Sequence, residues 1–248
     1  PGDLGSVPAA GVHPRVLFDA DHIEVLRERW KDDPYIEALI PGAYSNATNN
    51  TDLNAIIALD PDEDITEDDL DTLWTENEGR NISLFTLALH GEVYDDDELR
   101  QRAISGVVNL ARLNLASQSL KSDHSVWTSE GWSLQVGWRV GGLGWAMSYD
   151  LLYNHLTEEQ RAIVQEALVA VTTGRRAWGM GEPETRKLSN WAPYISGDLI
   201  SMILTIEEVD GYDEEVFNLA ADNIRQWLDY GLYAVSYTHL RAHETVRN

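Results

Sequence analysis

Asn190 and Trp191 stand side by side at the mouth of an apolar run. The run continues through Ile195, Leu199, Ile200, Ile203 and Leu204 at helical spacing. An amide at that point has two compatible uses: it caps the helix, as Asn does well, or it donates to a carboxylate or oxyanion. The indole of Trp191 either packs or stacks on a sugar ring, and Tyr194 adds a second aromatic three residues on. Trp127, Trp132, Trp138, Trp145 and Trp178 crowd the same third of the chain. Some of these are expected to line a carbohydrate cleft and the others to fill the core. His124, in "KSDHSVWTSEGW", is the histidine best placed to serve as a general base there, or is an ordinary surface histidine. Arg139, one helical turn beyond Gln135, would meet a substrate carboxylate or form a common ion pair.

Other constellations carry less chemistry. "DPDEDITEDDLD" (60–71) spaces its acids like a calcium loop, but Ile65 replaces the glycine at the sixth position and the terminal Glu is missing. A solvated acidic turn is the simpler reading, and no metal or cofactor is expected. His239 and His243 have i,i+4 metal spacing but fall in an anomalous tail. Asn46-Ala-Thr48 and Asn81-Ile-Ser83 match glycosylation acceptors, a motif short enough to occur by chance.

The elements that would position these residues are helices. Residues 1–18 read as an extended lead-in, and Asp19 caps a helix through Ile23, Leu26 and Trp30 that Pro34 follows. Residues 41–80 are polar, with short amphipathic pieces at 53–59 and 67–74. Segments 81–91, 96–116, 132–153, 158–173, 191–208 and 214–233 carry apolar residues at i, i+3, i+4 and i+7. Thr157 and Gln160 form a capping box, and Gly91, Gly174 and Gly211 stand where helices are expected to stop. No window alternates as a strand does, so the fold class is all-α, built from antiparallel helix pairs. The helical domain spans 19–234. Residues 235–248, "VSYTHLRAHETVRN", break the helical stripe and resemble translated adapter sequence, so native protein is expected to end near Ala234 and the chain to be a fragment.

Charge narrows the partners. Against 42 acidic residues there are 18 basic ones, a net charge of −24. Such a surface repels nucleic acid and anionic lipid. It also repels a polyanionic sugar unless the cleft is locally neutral or salt is high. No apolar stretch reaches the roughly 18–20 residues that span a bilayer. With no cysteine in the chain, disulfides, thiolate metal sites and cysteine nucleophiles are excluded.

Three stretches together resemble the helical domain of the heparinase II/III-like and alginate-lyase-like polysaccharide lyases. They are "HPRVLFDADHIEVLRERW" (13–30), "GLGWAMSYDLLYNHLTEEQRAIVQEAL" (142–168) and "SNWAPYISGDLISMIL" (189–204). The resemblance implies an incomplete (α/α) toroid, followed in family members by β-sandwich domains that this chain lacks. It also implies β-elimination at a uronic acid, in which the weakly acidic C5 proton leaves only if the adjacent carboxylate is neutralised. In those lyases an Asn amide neutralises the carboxylate, a neighbouring His is the base and a Tyr is the acid. Asn190 matches the Asn. Trp191 stands where many members have the His, and the Tyr would fall one helical hairpin later, in the region of the tail.

The sequence therefore reads as part of a secreted or periplasmic lyase acting on an acidic polysaccharide or oligosaccharide. Asn190 and His124 are its catalytic candidates; Trp191, Trp127, Trp132, Arg139 and Tyr194 are its substrate contacts. The rivals are a helical-toroid glycoside hydrolase using Asp123, Glu130 or Asp150, and a non-catalytic glycan-binding domain.

Overall fold

A computed structural model describes residues 8–30, 32–73, 78–120, 142–179 and 191–231. Among these residues every regular element is helical, so the chain is all-α. The helices are α1 (Ala20–Trp30), α2 (Pro34–Thr48), α3 (Thr51–Ile57), α4 (Glu67–Leu73), α5 (Glu78–Tyr94), α6 (Asp97–Leu120), α7 (Gly142–Leu152), α8 (Glu158–Gly179), α9 (Trp191–Leu204) and α10 (Glu214–Gln226). A 3₁₀ turn, Tyr153–His155, follows α7, and a π-helical turn, Trp227–Gly231, follows α10.

Local chemistry accounts for the ends. Asp19 Oδ1 accepts the His22 N–H at 2.8 Å and starts α1. Asn50 accepts from Leu53 N at 2.9 Å and starts α3. Seven residues are too few for a helix stable on its own. Helix α3 exists because Leu53 and Ile56 are fully buried, each worth about 1.5–3 kcal/mol over exposure. The capping box of α8 is closed in both directions: Gln160 N donates to Thr157 Oγ1 at 3.2 Å, and Thr157 N donates to Gln160 Oε1 at 2.9 Å.

Two sequence expectations need correction. The polar stretch expected from residue 41 begins later, because α2 runs through Pro41 to Thr48. Proline forfeits one backbone bond there, and packing along α5, with Ala47 fully buried, offsets the loss. Gly91 and Gly174 lie inside α5 and α8 rather than at their ends. Helix α5 stops instead at Asp95, whose φ is +54°. Gly91 serves close approach: a Cβ there would stand 2.7 Å from Arg100 Cγ and 3.0 Å from Arg100 N. Gly211, with φ +102°, does sit in the turn after α9.

The long helices fall into two layers. Helix α7 packs between α5 and α9, while α6 packs against α8 and α3 behind them. Start meets start and end meets end along the first layer. Gly144 in the first turn of α7 abuts Asn81 in the first turn of α5, and Glu92 near the end of α5 meets His155 just beyond α7. The lead-in contacts Asp150 near the end of α7 and the Leu204 carbonyl at the end of α9. Helices α5, α7 and α9 are therefore parallel. The layers are tied by Trp145 of α7, whose indole N–H donates to the Val107 carbonyl of α6 at 3.1 Å.

Candidate functional site

Parallel packing gathers the N-terminal ends of α5, α7 and α9 at one rim and their C-terminal ends at the other. The two rims have different chemistry.

At the C-terminal rim the lead-in is fastened down. His13 Nδ1 lies 2.6 Å from Asp150 Oδ1, and His13 Nε2 lies 3.3 Å from Glu208 Oε1. Asp150 Oδ2 accepts the backbone N–H groups of Arg15 at 2.9 Å and Val16 at 2.8 Å. Arg15 donates to Glu207 at 2.7 Å and to the carbonyls of Leu204 and Pro8. The His13 ring stacks on Tyr153 with centroids 3.9 Å apart, and Asn154 donates to the His13 carbonyl at 2.9 Å. A histidine paired with a carboxylate invites a catalytic reading. Its side chain is 0% exposed and both ring nitrogens face carboxylates, so no substrate atom reaches it. This is a structural clasp. It also removes Asp150 as a carboxylate across a hydrolase cleft, because both its oxygens are committed to the lead-in. Burial beside it pushes the Tyr149 hydroxyl well above the ordinary tyrosine pKa.

The same rim carries an aromatic group around His90. Tyr44 stacks on the His90 ring at 5.5 Å and 7°, and Trp30 and Tyr94 meet it edge-on at 5.7 and 5.6 Å. Burial lowers the His90 pKa. Nearby, burial raises that of Glu92, opposed by the positive charges of His155, Arg100 and Arg27. His155 Nε2 lies 2.9 Å from Glu92 Oε1, and Arg27 Nη2 lies 3.6 Å from Oε2.

The N-terminal rim differs in charge. At this rim α5 opens on Glu78; elsewhere along the chain the first turns of α1, α3, α4, α6, α8 and α10 also hold acidic residues, from Asp21 in α1 to Glu214 and Glu215 in α10. Those acids satisfy the positive end of each helix dipole. The first turns of α7 and α9 hold none. On a chain of net charge −24, these two adjacent helices carry no acidic residue in their own first turns. Beside them, Asn81 is 3% exposed, and neither its amide nitrogen nor its amide oxygen has a hydrogen-bond partner.

Of the residues singled out from sequence, Trp191 and Tyr194 lie in the first turn of α9 at this rim. Asn190, His124, Trp127, Trp132 and Arg139 lie outside the described residues, as do Asp123, Glu130, His239 and His243. Sequence reasoning missed Asn81, noticing it only as a glycosylation match that burial within a helix now argues against. It also missed the His13–Asp150 clasp. The acidic stretch is a turn that leads into α4: Asp60 accepts from Asp62 N at 2.9 Å, and Asp69 accepts from Thr66 N at 2.8 Å across the helix start. The Thr66 hydrogen bonds hold the Asp69 carboxyl below its usual range. Among the described residues no three His, Asp or Glu side chains are grouped to hold a metal, and no helix is long and apolar enough to cross a membrane. No family model, curated protein or solved structure matches the chain.

Proposed function

We propose that this chain is the helical domain of a secreted or periplasmic polysaccharide lyase that cleaves a uronate-containing glycan by β-elimination. The observation that carries the reading is the rim where α7 and α9 start without acidic residues. A uronate polymer is repelled by the rest of the surface, and uncompensated helix N-termini attract carboxylates. Asn190 immediately precedes α9 in the chain, so its proposed role as carboxylate neutraliser falls at the start of one of these helices. The parallel layer α5, α7, α9, with α6 and α8 behind it, supports successive hairpins of an incomplete (α/α) toroid.

In the reaction the base removes the C5 proton, the C5 electron pair forms the C4–C5 double bond, and the C4–O bond breaks. The leaving oxygen takes up a proton. Asn190 stabilises the charge that develops on the carboxylate, and His124 is the candidate base. Trp191, Trp127, Trp132 and Tyr194 offer stacking surfaces, and Arg139 a cation. No cofactor is required.

The full-length protein incubated with uronate polymers should release products with the ultraviolet absorbance of an unsaturated uronate. New reducing ends without that absorbance would favour a hydrolase. Binding without turnover would make the domain a glycan-binding module.

A further inference from the structure

His13 meets a carboxylate at each of its ring nitrogens. Nδ1 lies 2.6 Å from Asp150 Oδ1 near the end of α7, and Nε2 lies 3.3 Å from Glu208 Oε1 beyond the end of α9. A neutral imidazole has one N–H donor and an ionised carboxylate only accepts, so one proton cannot serve both contacts. The other oxygen of Asp150 already accepts the Arg15 and Val16 N–H groups, a pattern that suits the ionised acid. Glu208 keeps contact with water at 23% exposure, so its charge is solvated. The remaining charged and titratable neighbours do not replace the missing proton. Arg15 is paired with Glu207 at 2.7 Å. Arg161 of α8 lies over the Tyr153 ring, 5.0 Å from its centroid, and His13 stacks on that same ring. Tyr149 meets His13 edge-on at 6.2 Å, and burial keeps its hydroxyl neutral.

From this hydrogen-bond count we infer that His13 carries both ring protons in the closed clasp, which makes it a proton-operated bridge between α7 and the segment after α9. Loss of the Nε2 proton turns a donor into a lone pair facing Glu208 at 3.3 Å. That contact then changes from attraction to repulsion. The shorter Asp150 contact keeps the remaining proton but no longer joins opposite charges. The bridge is therefore present at low pH and lost as pH rises. The lead-in backbone runs directly against Glu208: a Cβ on Gly11 would stand 3.6 Å from Glu208 Cγ. A Glu208 side chain released to water loosens the lead-in along that edge, and the Arg15 and Val16 N–H groups are left as its hold on Asp150.

The test follows amide exchange at Arg15 and Val16, whose N–H groups report on the clasp, from about pH 5 to about pH 9. Wild type is compared with Glu208→Gln at each pH, which cancels the base catalysis of exchange itself. Nitrogen NMR of the His13 ring counts its protons in the same samples. A carboxamide at 208 accepts from the charged ring or, turned over, donates to the neutral one, so the variant's clasp should ignore the proton. Wild-type protection should fall about 10-fold or more relative to the variant as pH rises, as expected for losing a hydrogen bond between charged groups. The ring should carry two protons at the acid end and one at the alkaline end. Glu208→Ala, which removes the contact altogether, should also lose the pH dependence, with weaker protection at the acid end. A protection ratio that stays constant across the range overturns the bridge. So does a ring with a single proton at pH 5 while both amides remain protected.

Discussion

His13 and Asp150, 137 positions apart, meet through a 2.6 Å contact that carries no solvent exposure on the histidine side. Asp150 holds the lead-in by three groups at once, one ring nitrogen and two backbone N–H groups. The segment 8–18, which has no helix or strand of its own, is therefore stitched across the ends of α7 and α9. The contact joins the start of the described chain to the end of α7.

Asp150→Ala would strand all three donors in a dry site. Each buried donor left unsatisfied costs about 1–3 kcal/mol, so the urea midpoint should fall sharply. Asp150→Asn keeps one acceptor oxygen and should fall between. The double variant with His13→Ala should cost clearly less than the sum of the singles, since the two share one interaction. A loss below about 1 kcal/mol for Asp150→Ala would mean that the clasp is incidental.

Two glycines predict opposite outcomes. In Gly144→Ala the new methyl meets the Asn81 backbone carbonyl at 2.6 Å, and backbone cannot swing aside. Overpacking of this kind costs about 1–3 kcal/mol and would wedge α5 from α7. Gly197, inside α9, has nothing within 4 Å of an added Cβ. Gly197→Ala should raise stability by about 0.5–1 kcal/mol through helix propensity. Thermal unfolding of both variants beside wild type checks the pair.

Helix existence was legible because 3.6-residue periodicity and caps such as Thr157–Gln160 are local signals. The segment ends were less so. Gly91 reads as a stop, yet what decides its identity is Arg100 pressing on it from the next helix. Pro41 lies inside α2, where burial along α5 outweighs one lost hydrogen bond. The clasp was invisible for a similar reason: nothing near His13 in sequence points to Asp150. Asn81 was illegible because its oddity is the absence of a partner, which only a packed structure reveals. Asp150 was weighed as a hydrolase acid on residue type alone, and its backbone donors exclude that.

Burial holds the His90 imidazole below its ordinary pKa of 6.5. The folded protein therefore binds this proton less tightly than the unfolded chain. The group's contribution is fully present above 6.5 and is lost as pH falls through the folded value. His90→Phe keeps a ring against Tyr44 and cannot titrate. Between about pH 7 and pH 5 the variant should lose less stability than wild type, and parallel denaturation curves would sink the idea. Glu92 titrates in both proteins and cancels from the comparison. Its own raised pKa works the other way, with stability present below 4.5 and lost as pH rises through the folded value.

The remaining prediction concerns Asn190, which immediately precedes α9 in the sequence. A cap alone is indifferent to Asn190→Asp or Asn190→Ser, because all three residues cap comparably. Asp would even favour a helix start that holds no acid of its own. Stability should therefore be unchanged or slightly raised by Asp. Under the proposed lyase function catalysis should respond in the opposite sense, because Asp sets a second negative charge against the substrate carboxylate. Turnover should fall about 10²-fold or more, by the measure of lost oxyanion donors, with Ser intermediate because its hydroxyl donates but reaches less far. The measurement is product absorbance on a uronate polymer beside melting curves, in the full-length protein. An Asp variant that melts higher and turns over normally would leave Asn190 a cap. One that melts as high or higher and is nearly inactive would separate substrate chemistry from helix capping at a single residue.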